Sequence, residues 1–240
     1  MLTLAIETSS RQLGVALADG DRLVSSYGLL AENPHAVELP DAVTRVLKAA
    51  HATLGQVEAI AVDIGPGSFT GLRIGLAFVK ALAFPMKKTV VGVPSLDVLA
   101  ASLPFASRQI CPLLDAKQKN VYGALYRVEE SAPKRKTDYL LGPVDELLSQ
   151  IKEPTIFLGD GCARYREQIL ERAGSLASFA AEEFWLPRAE LLARLGVERL
   201  RSGQRDDPAG LVPMYLYPQD ASINPSIRQA VAAGKPVAAS

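Results

Sequence analysis

The segment that most limits the possible folds is an apolar run joined by a glycine-rich turn to a second apolar run. Residues 57–64 read VEAIAVDI, and residues 65–75 read GPGSFTGLRIG. A continuous apolar run of this length is typical of a strand buried on both faces of a sheet. The second run predicts a helix from about Ser68 to Phe84, which Pro85 would end. The sequence therefore predicts a strand–turn–helix unit and an α/β fold.

The residues around this unit predict more of the same sheet. The runs LTLAIETS, LGVALADG and DRLVSSYGLL predict an antiparallel meander with its first turn at residues 8–11. Residues 35–54 have a helical period, and Pro40 either begins the main helix or kinks it. After the unit, TVVGVP predicts a strand and SLDVLAASL a helix that Ser95 caps.

The order of elements is then repeated in the second half of the chain. CPLLDAKQKNVYGALYRVEE predicts strand, tight turn and strand, and an offset of 108 residues places Asp115 over Glu7. PTIFLGDGCARY predicts a further strand, turn and helix start. We therefore expect two related lobes, 1–105 and 106–218, the second of them reduced. Residues 219–240 lack a clear period and are predicted to form a mobile tail.

The glycine-rich turn does not match the common phosphate-binding motifs. A P-loop needs Lys and Ser or Thr after its last glycine, where Leu72 and Arg73 stand, and a dinucleotide fingerprint needs glycine at Thr70. Three readings remain: an anion at the helix start, close packing on the protein's own sheet, or close approach of another protein. The stripe of Gly67, Gly71 and Gly75, with Ile74 and Phe78 beside it, favours close approach of another backbone.

Composition narrows the functional classes. The 26 basic and 26 acidic residues cancel, so no overall field attracts nucleic acid. The longest apolar stretch is too short to span a bilayer and includes Arg73 and Lys80. No signal peptide is visible, and Cys111 and Cys162 lack metal-binding spacing. We therefore expect a cytoplasmic protein with reduced thiols and without a membrane span.

Several of these motifs together resemble the bacterial TsaB (YeaZ) family. The resemblance covers most of residues 1–217 and rests on LAIETSS, HAVELP, GPGSFTGLRIGLAFVKALA, LLDAKQKNVY and PMYL. It implies an actin/Hsp70/sugar-kinase-like (ASKHA) fold. It also implies a role as dimerisation subunit in the synthesis of threonylcarbamoyladenosine at position 37 of tRNA. The implied partners are a catalytic TsaD-like subunit and a TsaE-like ATPase, with tRNA bound only through the complex.

The resemblance implies that the helix of HAVELP and the helix after GPGSFTG form the partner interface. A surface built for a related subunit could also pair with itself, so a homodimer is possible when the chain is alone. Two positions depart from the family's usual pattern: Ala36 follows His35 where the family has Ser, and Lys117-Gln118 replaces Arg-Arg. The predicted interface residues are His35, Leu39, Val43, Val46, Gly67, Gly71, Ile74, Gly75 and Phe78.

The sequence predicts no catalytic residues, metal or cofactor. His35 and His51 are sixteen residues apart and do not form a metal-binding pair. The alternative is a weak, self-standing ATPase, because Glu7 and Asp115 lie where sugar-kinase-like folds place their acids. Neither strand-end turn contains the glycine that would let the backbone wrap a phosphate, so efficient hydrolysis is not expected. The residues of this weak nucleotide cleft would be Glu7, Thr8, Asp115, Lys117 and Lys119.

Overall fold

The protein is built on two mixed β-sheets joined by short helices. The computed structural model describes residues 1–30, 35–130 and 132–214. The tail predicted at 219–240 lies outside the described residues. The predicted α/β class and the two repeated sheets are confirmed, with helices packed against each of them.

The first sheet has five strands in the order β3-β2-β1-β4-β5. The predicted meander is confirmed: β1, β2 and β3 pair antiparallel, and the register places Glu7 opposite Gly14. Strands β4 and β5 then add in parallel, as expected where helices connect them. The bounds are Leu2–Glu7 for β1, Gln12–Asp19 for β2, Arg22–Leu30 for β3, Ala59–Gly65 for β4 and Thr89–Pro94 for β5.

Helices cover both faces of this sheet because its strands alternate side chains between two cores. In β1, Leu4 and Ile6 pack in the core beneath α1 (His35–Ala49) and α2 (Phe69–Met86). Ala5 packs on the other face, against α6 (Ala189–Arg201). The small residues on that face let α6 approach closely, since a side chain at Gly196 would overlap Ala61.

Of the two alternatives for Pro40, the structure shows the one inside the helix: Pro40 lies within α1, and its carbonyl accepts the Thr44 hydroxyl at 3.0 Å. Two other local predictions on these helices need correction. Pro85 does not end α2, which continues to Met86 and closes with Lys87 in the left-handed region. Ser95 does not cap α3 (Ser95–Ala100), because its hydroxyl donates to Asp63 instead.

The second sheet is built from shorter strands, six of its seven having four residues or fewer. Its order is β10-β7-β6-β11-β12, and the β8–β9 hairpin also pairs with β6. The strands are β6 (Gln109–Asp115), β7 (Asn120–Gly123), β8 (Tyr126–Glu129), β9 (Ala132–Arg135), β10 (Leu140–Pro143), β11 (Thr155–Leu158) and β12 (Ala177–Phe179). Its helices are α4 (Val144–Leu148) and α5 (Gly161–Ala173).

The predicted repeat is visible in the two strand–turn–strand units. Glu7 ends β1 and Asp115 ends β6, and each strand returns antiparallel after four residues. Asp115 pairs with Val121, one residue nearer to the turn than Gly14 is in the first unit. Helix α6 lies in sequence within the predicted second lobe, yet it packs on the first sheet. The last described helix therefore returns to the sheet where the chain began.

Candidate functional site

The start of α2 is fixed to the turn between β1 and β2, residues 8–11, which we name the first turn. The Ser68 hydroxyl caps α2 by accepting the amide of Gly71 at 3.2 Å. The Ser68 amide donates to the carbonyl of Ser9 at 2.6 Å. Because these two N–H groups already have partners inside the protein, the anion site considered at this helix start is not favoured.

The glycine stripe faces the protein's own first turn, so its prediction as a partner surface is wrong. A side chain at Gly71 would overlap the carbonyl oxygen of Thr8, and one at Gly75 would overlap the Thr8 hydroxyl. A side chain at Gly67 would meet the carbonyl of Ser9 in the same way. Close approach does explain these glycines, but the approaching backbone is intramolecular.

The predicted ridge on α1 is also turned inward. Leu39, Val43 and Val46 are buried in the core of the first sheet and are not available to a partner. His35 is buried too, and its Nε2 donates to the carbonyl of Ser10 at 2.8 Å. The helical period identified a genuine apolar face of α1, but that face is the core side.

The opposite sides of α1 and α2 carry an exposed apolar surface. Val37 on α1 is 78% exposed, and Phe84 near the end of α2 is 67% exposed. The predicted residues Ile74 and Phe78 are half-buried at the border between this surface and the core. We define the outer face of α2 as Phe69, Ile74, Ala77, Phe78, Ala81 and Phe84.

The apolar residues of α2 could indicate either a helix that spans a membrane or a helix that contacts another protein. The position of α2 in the fold distinguishes the two. Contrary to the expectation from the sequence that the apolar stretch is too short, α2 is, within the described part of the chain, the one helix long and apolar enough to cross a membrane by length and composition. It connects β4 to β5, and its other side packs Leu72, Leu76 and Val79 into the fold. Only 33% of the span is buried, so much of its apolar surface remains uncovered in the single chain. An uncovered apolar helix face of this kind marks a contact surface.

Beneath the first turn lies a pair of buried carboxyl groups that the sequence reasoning did not find. The parallel register of β1 and β4 pairs Ile6 with Val62 and so brings the next residues, Glu7 and Asp63, side by side. Both side chains have no solvent exposure. The only sequence signal was an acidic residue, Asp63, inside an otherwise apolar run.

Each carboxyl uses one oxygen to hold neighbouring backbone. Oε1 of Glu7 accepts the amide of Ser9 at 2.7 Å and its hydroxyl at 2.6 Å. Oδ1 of Asp63 accepts the amide of Gly65 at 2.6 Å and the hydroxyl of Ser95 at 2.5 Å. Burial, followed by the charge of Asp63, raises the pKa of Glu7 well above its usual value, and burial also raises the pKa of Asp63.

The second turn, residues 116–119 between β6 and β7, has the opposite surroundings. Lys117, Gln118 and Lys119 are exposed, and all three have left-handed backbone conformations. Asp115 accepts the Lys117 ammonium at 3.1 Å and the Arg164 guanidinium at 3.2 Å. Burial alone would raise the pKa of Asp115, but the hydrogen bonds from Lys117 and Arg164 lower it below the usual value.

The predicted nucleotide cleft is therefore not assembled as expected. Glu7 is buried under the first turn, and Thr8 is buried within it, so Glu7 cannot hold a solvated metal ion. Asp115 is neutralised by two cations, while Lys117 and Lys119 point into solvent. Within residues 1–30, 35–130 and 132–214, no group of three or more His, Cys, Asp or Glu residues could hold a metal.

Other charged and reactive groups have structural partners. In the basic run at 134–136, Lys136 pairs with Glu129, and Arg135 pairs with Asp138 at 3.6 Å. Cys111 and Cys162 are free and buried, and burial raises the pKa of both thiols. Neither cysteine forms a disulfide within the described residues, and the partly paired basic run keeps little net charge for nucleic acid.

A partly buried network, also missed from the sequence, joins the two sheets. Asp97 on α3 accepts the hydroxyls of Tyr126 and Tyr139 at 2.7 and 2.8 Å. It also accepts the guanidinium of Arg199 on α6 at 2.7 Å. Burial and the neighbouring carboxylate raise the pKa of both tyrosines. One carboxylate thus ties α6, and through it the first sheet, to the second sheet.

Two sheets with a repeated strand–turn–strand unit and crossover helices define the class as an ASKHA-type α/β fold. A solved structure of YeaZ from Pseudomonas aeruginosa is similar with a TM-score of 0.78 and 27% identity, over 90% of this chain and 99% of that one. The family model described as TsaD, tRNA N6-adenosine threonylcarbamoyltransferase, matches residues 28–224.

Sequence relatives give the particular family. The tRNA threonylcarbamoyladenosine biosynthesis protein TsaB of Bacillus subtilis is 32% identical over 221 residues, covering 90% of this chain and 94% of that protein. The Escherichia coli TsaB is 27% identical over 90% of this chain. A tRNA N6-adenosine threonylcarbamoyltransferase of Geobacter sulfurreducens is 33% identical over 54% of this chain and 43% of its own length. The chain belongs to the TsaB (YeaZ) family.

Proposed function

We propose that this chain acts in tRNA threonylcarbamoyladenosine biosynthesis as a non-catalytic subunit that pairs with a TsaD-like catalytic subunit. The names of its TsaB relatives support the pathway. Its match to the TsaD family model over residues 28–224, and its likeness to a threonylcarbamoyltransferase over about half of its length, support a partner of related fold. Related folds can pair through the same surface on each, in the manner of a twofold dimer.

The outer face of α2 is the observation that carries this proposal. Aromatic and aliphatic side chains supply most of the binding energy at protein interfaces, and Phe78 and Phe84 stand on this face with small alanines between them. Ala77 and Ala81 let a partner helix approach, and Val37 on α1 extends the surface. The same surface would allow the chain to pair with itself when no partner is present.

Two features support a role without catalysis. The carboxyl of Glu7 is enclosed and holds the first turn, and that of Asp115 holds Lys117 and Arg164. Neither acid is free to position a metal–nucleotide complex, which is what an ATPase of this fold class requires. These surroundings do not favour the alternative of a weak, self-standing ATPase.

The charge of the chain bears on how tRNA is bound. Equal numbers of acidic and basic residues, and a basic run that is largely paired, give the chain little attraction for phosphates. We propose that tRNA is bound only through the complex, that a TsaE-like ATPase joins it, and that it works in the cytoplasm.

The test places a charge in the middle of the outer face of α2. Ala77→Arg should leave the melting temperature nearly unchanged, because an exposed helix position tolerates Arg at a cost of about 0.5 kcal/mol or less. It should weaken pairing with a TsaD-like subunit by on the order of a hundredfold, because a buried, unpaired charge costs several kcal/mol. Titration calorimetry and a tRNA modification assay of the reconstituted complex measure both effects.

Ala163→Arg is the matched control, since Ala163 is an exposed alanine on α5, outside the proposed interface. It should leave pairing and modification at the level of the unchanged protein. Equal pairing by the Ala77 and Ala163 variants would remove the outer face of α2 as the interface. Modification of tRNA by this chain without the TsaD-like subunit would overturn the non-catalytic role.

A further inference from the structure

The two carboxyls under the first turn have oxygens that would lack hydrogen-bond partners if both groups were ionised. Glu7 and Asp63 are fully buried and each has one oxygen, Oε1 and Oδ1 respectively, bonded to N–H and O–H donors. The other oxygens, Oε2 of Glu7 and Oδ2 of Asp63, have no N–H or O–H donor among the described residues. The parallel register of β1 and β4 places the two side chains side by side, and both are fully buried.

Ionised carboxylates only accept hydrogen bonds, so the unpartnered oxygens of Glu7 and Asp63 can gain a donor from each other only if one carboxyl carries a proton. Two like charges held side by side without water would also repel strongly, and buried carboxyl dyads avoid this by sharing one proton. Asp63 is the ionisable group that faces Glu7, and Ser9 and Ser95 contribute only hydroxyls. His35 on α1 binds the Ser10 carbonyl and neither carboxyl.

We infer that Glu7 and Asp63 hold one proton between them, and that this shared proton fixes the first turn beneath α1 and α2. Glu7 holds the amide and hydroxyl of Ser9. The carbonyls of Ser9 and Ser10 in turn accept from Ser68, at the start of α2, and His35, at the start of α1. Glu7 and Asp63 are thus positioning residues for both helices of the proposed interface.

The pH dependence has a defined sign. The unfolded chain has both carboxyls ionised at neutral pH, whereas the folded chain keeps one proton, so folding takes up a proton. A carboxyl whose pKa is raised by folding gives full stability below its ordinary pKa, and that stability is lost as the pH rises toward the raised value. The equilibrium constant for unfolding should therefore rise with pH, by at most about tenfold per pH unit from this pair.

Glu7→Gln is the decisive variant, because an amide donates permanently where the shared proton would lie. In denaturant unfolding from about pH 6 to pH 8, the unchanged protein should lose stability as the pH rises, relative to Glu7→Gln. Asp63→Asn should remove the same dependence, and the exposed control Glu167→Gln should keep it. Infrared spectroscopy at neutral pH should show a protonated carboxyl that either amide variant lacks. Two ionised carboxylates in the spectrum, or parallel pH profiles for all variants, would overturn the inference.

The positioning role has its own readout. Glu7→Ala removes the acceptor of Ser9, so hydrogen exchange should quicken in the first turn and at the start of α1, while Glu7→Gln should restore protection. If Glu7→Ala does not fold, the pH profile of Glu7→Gln decides alone. Unchanged exchange in a folded Glu7→Ala would contradict the positioning role.

The effect on pairing rests on the proposed function and is measured separately. Glu7→Ala should weaken binding to the TsaD-like subunit by on the order of tenfold, and Glu7→Gln should keep it within about twofold. If the unchanged chain does not bind that subunit, the proposed function fails, while the infrared and exchange results still decide the shared proton. Equal binding by Glu7→Ala and Glu7→Gln would show that the shared proton does not affect the interface.

Discussion

The first turn and the second turn occupy matching places in the two sheets but have opposite surroundings. The first turn is enclosed by Glu7 below it, by the glycines of α2 on one side and by His35 on another. The second turn is exposed, and its lysines reach into solvent around Asp115. Both turns follow a strand that ends in an acidic residue. The two repeats therefore share their backbone topology, but their acidic residues have different roles.

The difference shows how one element can serve two purposes. In the first sheet the acid is neutralised by a shared proton and supports the helices above it. In the second sheet the acid is ionised and neutralised by two cations at the surface. Changes to the first turn should therefore damage the fold, and equivalent changes to the second should be tolerated.

The largest effect is expected at Gly71. Gly71→Leu must displace the Thr8 carbonyl, which is backbone and cannot rotate away, so we expect little folded protein from a total stability of about 5–15 kcal/mol. Gly71→Ala should also destabilise, although alanine alone would favour the helix by about 1 kcal/mol. Thermal melts decide the sign. Ala77→Leu, exposed on the same helix, is the control and should melt near the unchanged protein. If Gly71→Ala is more stable than the unchanged protein, the glycine stripe becomes a candidate partner surface again.

The next effect compares the two acids directly. Glu7→Ala leaves the Ser9 amide and Asp63 buried without their partner and should cost about 3 kcal/mol in the free energy of unfolding. Asp115→Ala should cost about 1 kcal/mol, because Lys117 and Arg164 are exposed enough to be hydrated. Denaturant titrations of both variants measure the difference. Equal losses would mean that the second turn is as integral to the fold as the first.

The elements were predictable from the sequence because they depend on local periodicity and turn chemistry. The meander, α1, α2 and the repeated strand–turn–strand unit all follow from apolar spacing. The direction of the glycine stripe was not predictable, because the core face and the outer face of α2 are both apolar. Periodicity identifies a face, but only tertiary packing on Thr8 shows what covers it.

The pair of buried carboxyls could not be predicted from the sequence for a different reason. Glu7 and Asp63 are 56 residues apart, and only the parallel register of β1 and β4 brings them together. Ser95 shows the same limit, because its hydroxyl serves Asp63 on the neighbouring strand rather than its own helix. Likewise, the three donors to Asp97 lie in separate parts of the chain, so no local sequence pattern predicts that network.

The smallest effect is expected for Gln118→Gly in the second turn. Its matched comparison is a glycine substitution in the first turn. Gln118 is exposed and left-handed at φ 49°, between Lys117 and Lys119 at 63° and 66°. A left-handed L-residue costs about 1–2 kcal/mol, which glycine avoids, while glycine also loses about 0.5–1 kcal/mol through its more flexible unfolded state. Gln118→Gly should therefore raise stability slightly, by less than about 1 kcal/mol.

Ser9→Gly in the first turn should have the opposite sign. It removes the hydroxyl that donates to Glu7 at 2.6 Å from a site with no water to replace it, which should cost about 1–2 kcal/mol. Parallel denaturant titrations of the two variants compare them under one condition. If both turns respond alike, the second turn is held by contacts as strict as those of the first. If Ser9→Gly is neutral while Gln118→Gly stabilises, the Ser9 amide alone suffices to anchor the first turn to Glu7, and the hydroxyl is dispensable.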